Sequence, residues 1–302
     1  MQGLTGVAKE GVDLSSLSAI RPQLHRYCAR MLGSSLEGED VVQDVLLKAV
    51  EALPKAGPIG NLSAWLFRIA HNRALDVLRA RARLAEVEVA EAVEAPDLGQ
   101  VDDRHEIVSI SLRTLARLPA RQRSCVILMD VIGHSLKEIG DILEISVPTV
   151  KAELHRGRKL LRHLALEPEE RPVPRLSAAE SARLLAYIER FNARDFAAIR
   201  DMLAEEVRIE AIAKTTFEGR RDSAGYFGNY EGLAGWTASP VLVDGHPAAL
   251  VQLAGQPSYF ILLEWSASGL ETIRDFYYAR YALESAEIVH LPQRSPLDHS
   301  PK

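Results

Sequence analysis

Two stretches of the chain concentrate arginine and lysine, the side chains that bind phosphate. Residues 65–83 contain five arginines and one acid, and residues 146–163 contain five lysines or arginines and one acid. Between them, residues 86–106 carry eight acids and one arginine. The formal net charge is −5, but charge that is segregated in this way lets a chain bind nucleic acid through its local patches. The pattern predicts phosphate recognition.

The first basic stretch falls on a helix predicted over Ser63–Arg83. At about 100° per residue, one stripe of this helix is polar and the opposite arc is apolar. The stripe contains Trp65, Arg68, Asn72, Asp76, Arg79 and Arg83. Arginines beside an aromatic ring suit contact with phosphates and stacking on bases. An ordinary solvated face explains the stripe equally well.

The second basic stretch falls on the last helix of a predicted helix-turn-helix. Pro119 begins a first helix, Ser135 and Glu138 form a capping box for a second, and Ser146 caps a third. On the third helix one face is apolar and the other is basic. The basic face contains Lys151, His155, Arg158 and Arg162, with Arg156 and Lys159 beside it. This arrangement favours a DNA-reading helix over a helical hairpin with a charged surface.

A further helix is predicted from Ser34 to Leu53, because Ser34 and Glu37 have capping-box spacing and Pro54 ends the helix. One of its faces is apolar. The opposite face contains Asp40, Gln43, Asp44, Glu51 and also Leu47. An isolated surface leucine is common. The alternative is a docking face for another protein, in which an apolar anchor is ringed by polar side chains.

The composition divides the chain in two. Only three of its eighteen Phe, Trp and Tyr residues precede residue 171, and a proline-rich segment over residues 167–175 marks the boundary. A length of 302 residues with 47% apolar side chains suits two packed cores. Two separated cysteines and no signal segment suggest a soluble cytoplasmic protein. The chain has neither metal-ligand spacing nor a phosphate-binding glycine loop, so we expect no metal or cofactor.

After the boundary we predict two helices followed by a curved antiparallel sheet. The helices are Ala178–Asn192 and Phe196–Leu203, and the strands are Val207–Ala213, Trp236–Val243, Ala248–Leu253, Tyr259–Trp265 and Leu270–Tyr281. Asp244-Gly245 is a hairpin signal. The chain is therefore expected to be multi-domain, all-α first and α+β afterwards.

The helical half resembles the extracytoplasmic-function (ECF) subfamily of RNA polymerase sigma factors, over about residues 20–166. The segments that resemble sigma region 2 are Leu24–Leu36, Glu39–Asp44 and Trp65–Arg79. Those that resemble sigma region 4 are Leu115–Arg123, Glu138–Gly140 and Thr149–Arg158. The segments occur in the order of the family.

The resemblance implies a partner for each surface. Asp40, Gln43, Asp44 and Leu47 would bind the β′ coiled coil of core RNA polymerase, and region 4 would meet the β flap. The −10 promoter strand would contact Trp65, Arg68, Asn72, Arg73 and Arg79, and the loop at 54–62 would select bases. The −35 element would contact Thr149, Lys151, His155, Arg156, Arg158 and Lys159. The family implies promoter-directed transcription initiation, with no catalytic residue, cofactor or membrane.

The second half resembles the SnoaL-like cone domains, through segments 191–195, 217–220 and 273–281. In fused sigma factors such a domain modulates sigma activity, and it offers a site for a small-molecule ligand. The implied organisation is region 2 at 15–83, an acidic linker at 84–104, region 4 at 105–166, a Pro-rich linker at 167–176 and the SnoaL-like domain at 177–293.

A second hypothesis is a helix-turn-helix regulator fused to a small SnoaL-like isomerase, cyclase or hydrolase. Its acid–base candidates are Asp244, His246, Glu264 and Asp275, and its candidate pocket walls are Tyr226, Trp236, Tyr259 and Trp265. Core aromatics and surface acids would explain the same residues.

Overall fold

The chain forms two compact units, Met1–Glu170 and Arg171–Lys302. The computed structural model describes residues 14–55, 57, 59–85, 110–167, 175–233 and 235–292. Most of the predicted acidic linker, residues 86–104, and most of the proline-rich linker, residues 168–174, lie outside the described residues. No helix in the described ranges is both long and apolar enough to cross a membrane.

The first unit is helical throughout the residues that the structure describes. Its helices are α1 (Leu14–Leu32), α2 (Ser35–Ala52), α3 (Leu62–Ala85), α4 (Leu112–Ala116), α5 (Ala120–Val126), α6 (Leu136–Leu143) and α7 (Val147–Ala165). We refer to α1–α3 as the first bundle and to α4–α7 as the second bundle.

The predicted helix caps are confirmed. Ser34 accepts a hydrogen bond from the backbone N–H of Glu37, Ser135 and Glu138 form the capping box of α6, and Ser146 accepts from Thr149. The first predicted helix of the helix-turn-helix begins as α5 and continues as a π-helical turn over Ile127–Ile132. It ends at Gly133, whose φ of 93° requires a residue without a side chain.

The two bundles of the first unit share one hydrophobic core. Tyr27, Met31 and Phe67 of the first bundle belong to the same buried cluster as Cys125 and Leu128 of the second. Each of these five side chains is fully buried. The first unit is therefore a single packed body, although its bundles are separated by residues 86–109 in the sequence.

The second unit combines helices with one mixed sheet. Its elements are α8 (Ala178–Asn192), α9 (Phe196–Asp201), β1 (Leu203–Ala211), β2 (Thr215–Glu218), α10 (Gly219–Glu231), β3 (Trp236–Val243), β4 (His246–Leu253), β5 (Tyr259–Ser266), β6 (Gly269–Asp275), a 3₁₀ turn (Arg280–Glu284) and β7 (Ile288–His290). The strand order is β2-β1-β6-β5-β4-β3-β7. Helix α8 packs on β3 and α10 packs on β1, which encloses an aromatic core. The α+β class is confirmed.

Three details of the predicted second unit are wrong. The sheet is not wholly antiparallel, because β1 and β6 are parallel, with Ile209 opposite Ile273. The last long strand ends at Asp275, since the Asp275 carboxylate accepts a hydrogen bond from the backbone N–H of Tyr277 at 2.8 Å and turns the chain. Helix α10 was not predicted at all, because Gly225 and Gly228 interrupt its apolar periodicity.

The contact between α1 and α2 gives a first prediction. A methyl group at Gly38 would lie 2.7 Å from the backbone N and Cα of Ala29, which cannot yield as a flexible side chain would. We expect Gly38→Ala to lower the free energy of unfolding by about 1–3 kcal/mol, measured by urea unfolding with circular dichroism.

A matched control is Gly228→Ala in α10. There the added methyl group would meet nothing within 4 Å in the described parts of the chain, so helix propensity alone predicts a gain of up to about 1 kcal/mol. Equal effects of the two substitutions would contradict the close α1–α2 packing.

Candidate nucleic-acid interface

Helix α3 presents the predicted polar stripe on one side and its core residues on the other. Leu66, Phe67, Ala70 and Ala74 are buried. Of the predicted −10 contacts, Asn72 and Arg79 are exposed, whereas Trp65, Arg68 and Arg73 are half-buried. The preceding loop at 54–62 includes residues 56 and 58, which lie outside the described residues.

Two arginines among the predicted −10 contacts are already bound within the first unit. The Arg68 guanidinium donates a 2.6 Å hydrogen bond to the carbonyl oxygen of Asp141 and lies 3.4 Å from the carboxylate of Glu144. Arg73 donates at 2.8 Å to the carboxylate of Asp44 on α2. Arg68 of the stripe and the nearby Arg73 therefore both have protein partners in this structure.

Helix α7 presents an open basic face. Lys151, His155 and Arg156 are exposed, and Thr149 and Lys159 are half-buried. The capping hydroxyl of Ser146 lies 2.8 Å from the Thr149 hydroxyl at the helix N-terminus. Positive side chains on an exposed helix face can reach phosphates and base edges in a DNA groove.

Arg158 lies on the same stripe of α7 as Lys151, but its guanidinium group is paired within the first unit. Its Nε donates at 2.9 Å to the carboxylate of Asp130, and its second nitrogen also contacts that carboxylate. Asp130 lies on the π-helical turn and is 8% exposed. Arg158 therefore anchors α7 to the π-helical turn that follows α5.

Helix α2 presents an exposed apolar pair beside its acids. Leu47 is 62% exposed and Val50, one helical turn further on, is 41% exposed, while Val42 and Val45 on the opposite side are buried. The predicted neighbours Asp40 and Gln43 are exposed, and Asp44 is half-buried beside Arg73. The sequence analysis did not identify Val50 as part of this surface. Its position three residues after Leu47 is the only signal in the sequence that could have done so.

The predicted pocket walls of the second unit come together. Tyr226, Trp236 and Tyr259 are buried in one aromatic core, and Trp265 packs against it. Asp275 lies among them and accepts hydrogen bonds from Tyr226 at 2.9 Å and Tyr230 at 2.6 Å. Burial raises the pKa of the Asp275 carboxyl group, and the tyrosine hydroxyls partly oppose this shift.

The other three acid–base candidates do not join Asp275. Asp244 forms the β3–β4 turn, with φ of 48°, and its carboxylate accepts a hydrogen bond from the backbone N–H of Glu287 at 2.9 Å. His246 and Glu264 are exposed. Among the described residues, no group of three or more His, Cys, Asp and Glu side chains is placed to hold a metal ion.

The Arg158–Asp130 pair gives a second prediction. Arg158→Ala would leave a buried carboxylate without its guanidinium, which we expect to lower the free energy of unfolding by about 2–4 kcal/mol in a urea titration. Lys151→Ala, on the exposed face of the same helix, should change stability by less than about 0.5 kcal/mol. Equal stability of the two variants would show that Arg158 is not an anchor.

The family model for sigma-70 region 2 matches residues 17–84, and the model for sigma-70 region 4 matches residues 112–161. A crystal structure of the extracytoplasmic function sigma factor SigJ of Mycobacterium tuberculosis is 17% identical, covers 87% of this chain and 95% of SigJ, and has a TM-score of 0.35. An NTF2-like protein of Cytophaga hutchinsonii is 15% identical over 31% of this chain and 96% of its own, with a TM-score of 0.25.

SigW of Bacillus subtilis, an ECF RNA polymerase sigma factor, is similar over a long alignment. It is 31% identical to this chain over 154 residues, which are 47% of this chain and 82% of SigW. With nearly a third of the residues shared across most of that relative, the chain belongs to the ECF RNA polymerase sigma factors, which direct RNA polymerase to promoters.

Proposed function

We propose that α2 binds core RNA polymerase through Leu47 and its polar neighbours. The observation that carries this assignment is the exposed Leu47–Val50 pair among Asp40, Gln43 and Asp44. Exposed apolar anchors with a polar rim are typical of protein interfaces. A coiled coil such as that of the β′ subunit presents an exposed helical surface against which this apolar pair and its polar rim can pack. The region 4 bundle would bind the β flap. Because the proposed partner is RNA polymerase, we expect the protein to act in the cytoplasm.

The two basic helices bind different parts of the promoter DNA. On α3, Trp65 supplies a ring for stacking and Arg68, Asn72, Arg73 and Arg79 supply phosphate and base contacts to the melted −10 strand. On α7, Thr149, Lys151, His155, Arg156 and Lys159 face the −35 duplex. Arg158 serves this surface indirectly, because it holds α7 in place.

Leu47→Ala tests the polymerase assignment. Leu47 is largely exposed, so the variant should fold normally and bind core RNA polymerase at least about tenfold more weakly, which corresponds to about 1.4 kcal/mol. Binding is measured by fluorescence anisotropy of the labelled full chain titrated with core enzyme.

Leu84→Ala is the matched control, because Leu84 is 87% exposed on α3 and lies away from the α2 acids in sequence. It should bind core enzyme like the unchanged protein. Tight binding by both variants would remove α2 as the docking site, and failure of the unchanged chain to bind would remove the proposed partner.

We propose that the second unit modulates the sigma unit and binds a small-molecule ligand. Two polar groups in its core support this role. The hydroxyl of Tyr187 and the indole N–H of Trp236 are buried and have no hydrogen-bond partner among the described residues. Buried donors without partners cost stability, and a ligand with hydrogen-bond acceptors and an apolar body would satisfy them. We assign no catalytic step to this unit, because only one of the four acid–base candidates lies in its core.

The tyrosines allow a test of the ligand role. Tyr187→Phe removes a hydroxyl without a partner, so stability should stay equal or rise by about 1 kcal/mol. Tyr230→Phe removes a hydrogen bond to Asp275 and should cost about 1–3 kcal/mol. These values are checked by thermal unfolding of both variants and of the unchanged chain, with and without a panel of small molecules.

A compound that stabilises the unchanged chain but not Tyr187→Phe would identify the ligand class. A loss of stability in Tyr187→Phe as large as that in Tyr230→Phe would instead show that the Tyr187 hydroxyl is structural.

A further inference from the structure

Asp275, the last residue of β6, places a carboxylate in the aromatic core of the second unit, where it is 3% exposed. Its Oδ2 accepts hydrogen bonds from the hydroxyls of Tyr226 at 2.9 Å and Tyr230 at 2.6 Å. Its Oδ1 accepts one, from the backbone N–H of Tyr277 at 2.8 Å. Because each carboxylate oxygen can accept about two hydrogen bonds, one acceptor position remains on Oδ1.

The protein does not pair this buried carboxylate with a cation in the part of the chain that the structure describes. Its hydrogen-bond partners there are all uncharged. Burial raises the pKa of the Asp275 carboxyl group, the three hydrogen bonds lower it, and the charge of Arg280 lowers it least. The Arg280 guanidinium instead lies over the ring of Tyr277, 4.5 Å from its centroid, and donates to the carbonyl oxygen of Pro257. Buried carboxylates are ordinarily paired with a positive group, so a partner of this kind fits here.

Tyr187 on α8 lies close to the same carboxylate without bonding to it. Burial and then the charge of Asp275 raise the pKa of the Tyr187 hydroxyl, so the two groups are within electrostatic reach. Tyr187 is fully buried, and its hydroxyl has no hydrogen-bond partner among the described residues. A ligand group that bridges the two must donate a hydrogen bond to the carboxylate, because an ionised carboxylate only accepts. The Tyr187 oxygen can accept a second hydrogen bond from the same group.

The aromatic surroundings favour a positively charged donor over a neutral one. The rings of Tyr226 and Tyr230 meet edge-on with centroids 5.5 Å apart, and the Tyr259 hydroxyl donates to that of Tyr230 at 3.1 Å. The negative faces of aromatic rings attract organic cations, most strongly where water is excluded. An alcohol would supply the hydrogen bond but would leave the charge of Asp275 unpaired.

We propose that the ligand of the second unit is an organic cation, a protonated amine held between the Tyr187 hydroxyl and the Asp275 carboxylate. The inference rests on the proposed ligand role of this unit. The ammonium group donates to Oδ1 of Asp275 and to the oxygen of Tyr187. An acceptor elsewhere on the ligand satisfies the buried indole N–H of Trp236. The ring of Phe191 packs on both Tyr187 and Trp236, so it supplies an apolar surface beside both polar groups.

Probes that are matched in size and differ in charge test this assignment. Benzylamine is positive at neutral pH, benzyl alcohol is neutral and benzoate is negative. Butylamine, butanol and butyrate repeat the comparison with a narrower body. Each probe is titrated into the full chain by calorimetry, with thermal unfolding as a second readout. We expect each amine to bind at least about tenfold more tightly than its alcohol, and each carboxylate to bind more weakly than the alcohol.

Two variants remove one contact each. Asp275→Asn removes the negative charge and should weaken amine binding at least about tenfold, while alcohol binding stays within about threefold. Tyr187→Phe removes the second acceptor and should weaken amine binding at least about threefold. Asp244→Asn is the matched control, because it removes a carboxylate in the β3–β4 turn and asparagine tolerates the φ of 48° there. It should bind every probe as the unchanged chain does.

Several results would overturn the cationic class. Equal binding of an amine and its alcohol in both series, or a preference for the carboxylate, would do so and leave the ligand role intact. Unchanged amine binding in folded Asp275→Asn would place the amine elsewhere. If Asp275→Asn does not fold, unchanged amine binding in Tyr187→Phe decides against the proposal. Binding of none of the probes to the unchanged chain would refute both the ligand role and the class.

Discussion

The helical unit depends on one buried guanidinium, that of Arg123. It donates hydrogen bonds to the carbonyl oxygens of Met31, Ala116 and Leu118, and it is 6% exposed. The carbonyl groups at a helix C-terminus have no partners within their own helix. Arg123 therefore satisfies the ends of α1 and α4 together and fixes the start of α5 between them. Desolvation lowers its pKa to about 10, so it remains charged at neutral pH and the contact keeps its charge-assisted strength.

The positions of the two basic surfaces follow from this junction. Helix α5 carries Ser124 against the first bundle, and the π-helical turn that follows it carries Asp130, which holds Arg158 and so orients α7. The same turn ends at Gly133 and leads to α6, whose far end reaches Arg68. A chain of packed and hydrogen-bonded residues thus connects the core of the first bundle to both surfaces that we propose contact DNA.

Local signals in the sequence were sufficient to predict the helices. They did not predict the long-range contacts between them. Ser34, Ser135 and Ser146 each cap a helix through bonds to residues three positions later, so their spacing alone predicts the helix starts. The side chain of Arg158 follows Lys151 by two helical turns and shares its stripe, yet it pairs with Asp130, 28 positions earlier in the chain. Periodicity gives the face of a helix but not the partner that reaches it.

The same limit applies to the second unit and to the contact between the two bundles. The parallel pairing of β1 with β6 joins strands some sixty residues apart, and no turn signal encodes it. Leu47 was identified because it breaks the polar pattern of its own helix, which is a local observation. The apolar patterns of α1 and α5 do not predict the contact between Met31 and Ser124, because both are ordinary core positions within their own helices.

The contact between the first and second bundles is partly polar. A wholly apolar contact of this kind would resist separation, since every exposed side chain would face water at a cost of about 25 cal/mol per Å². Here Ser124, His71 and Arg123 give up water when the bundles close and regain it when they part. Their hydration offsets part of the cost of exposing Met31 and Phe67, and the neutral His71 can take up a proton once it is exposed.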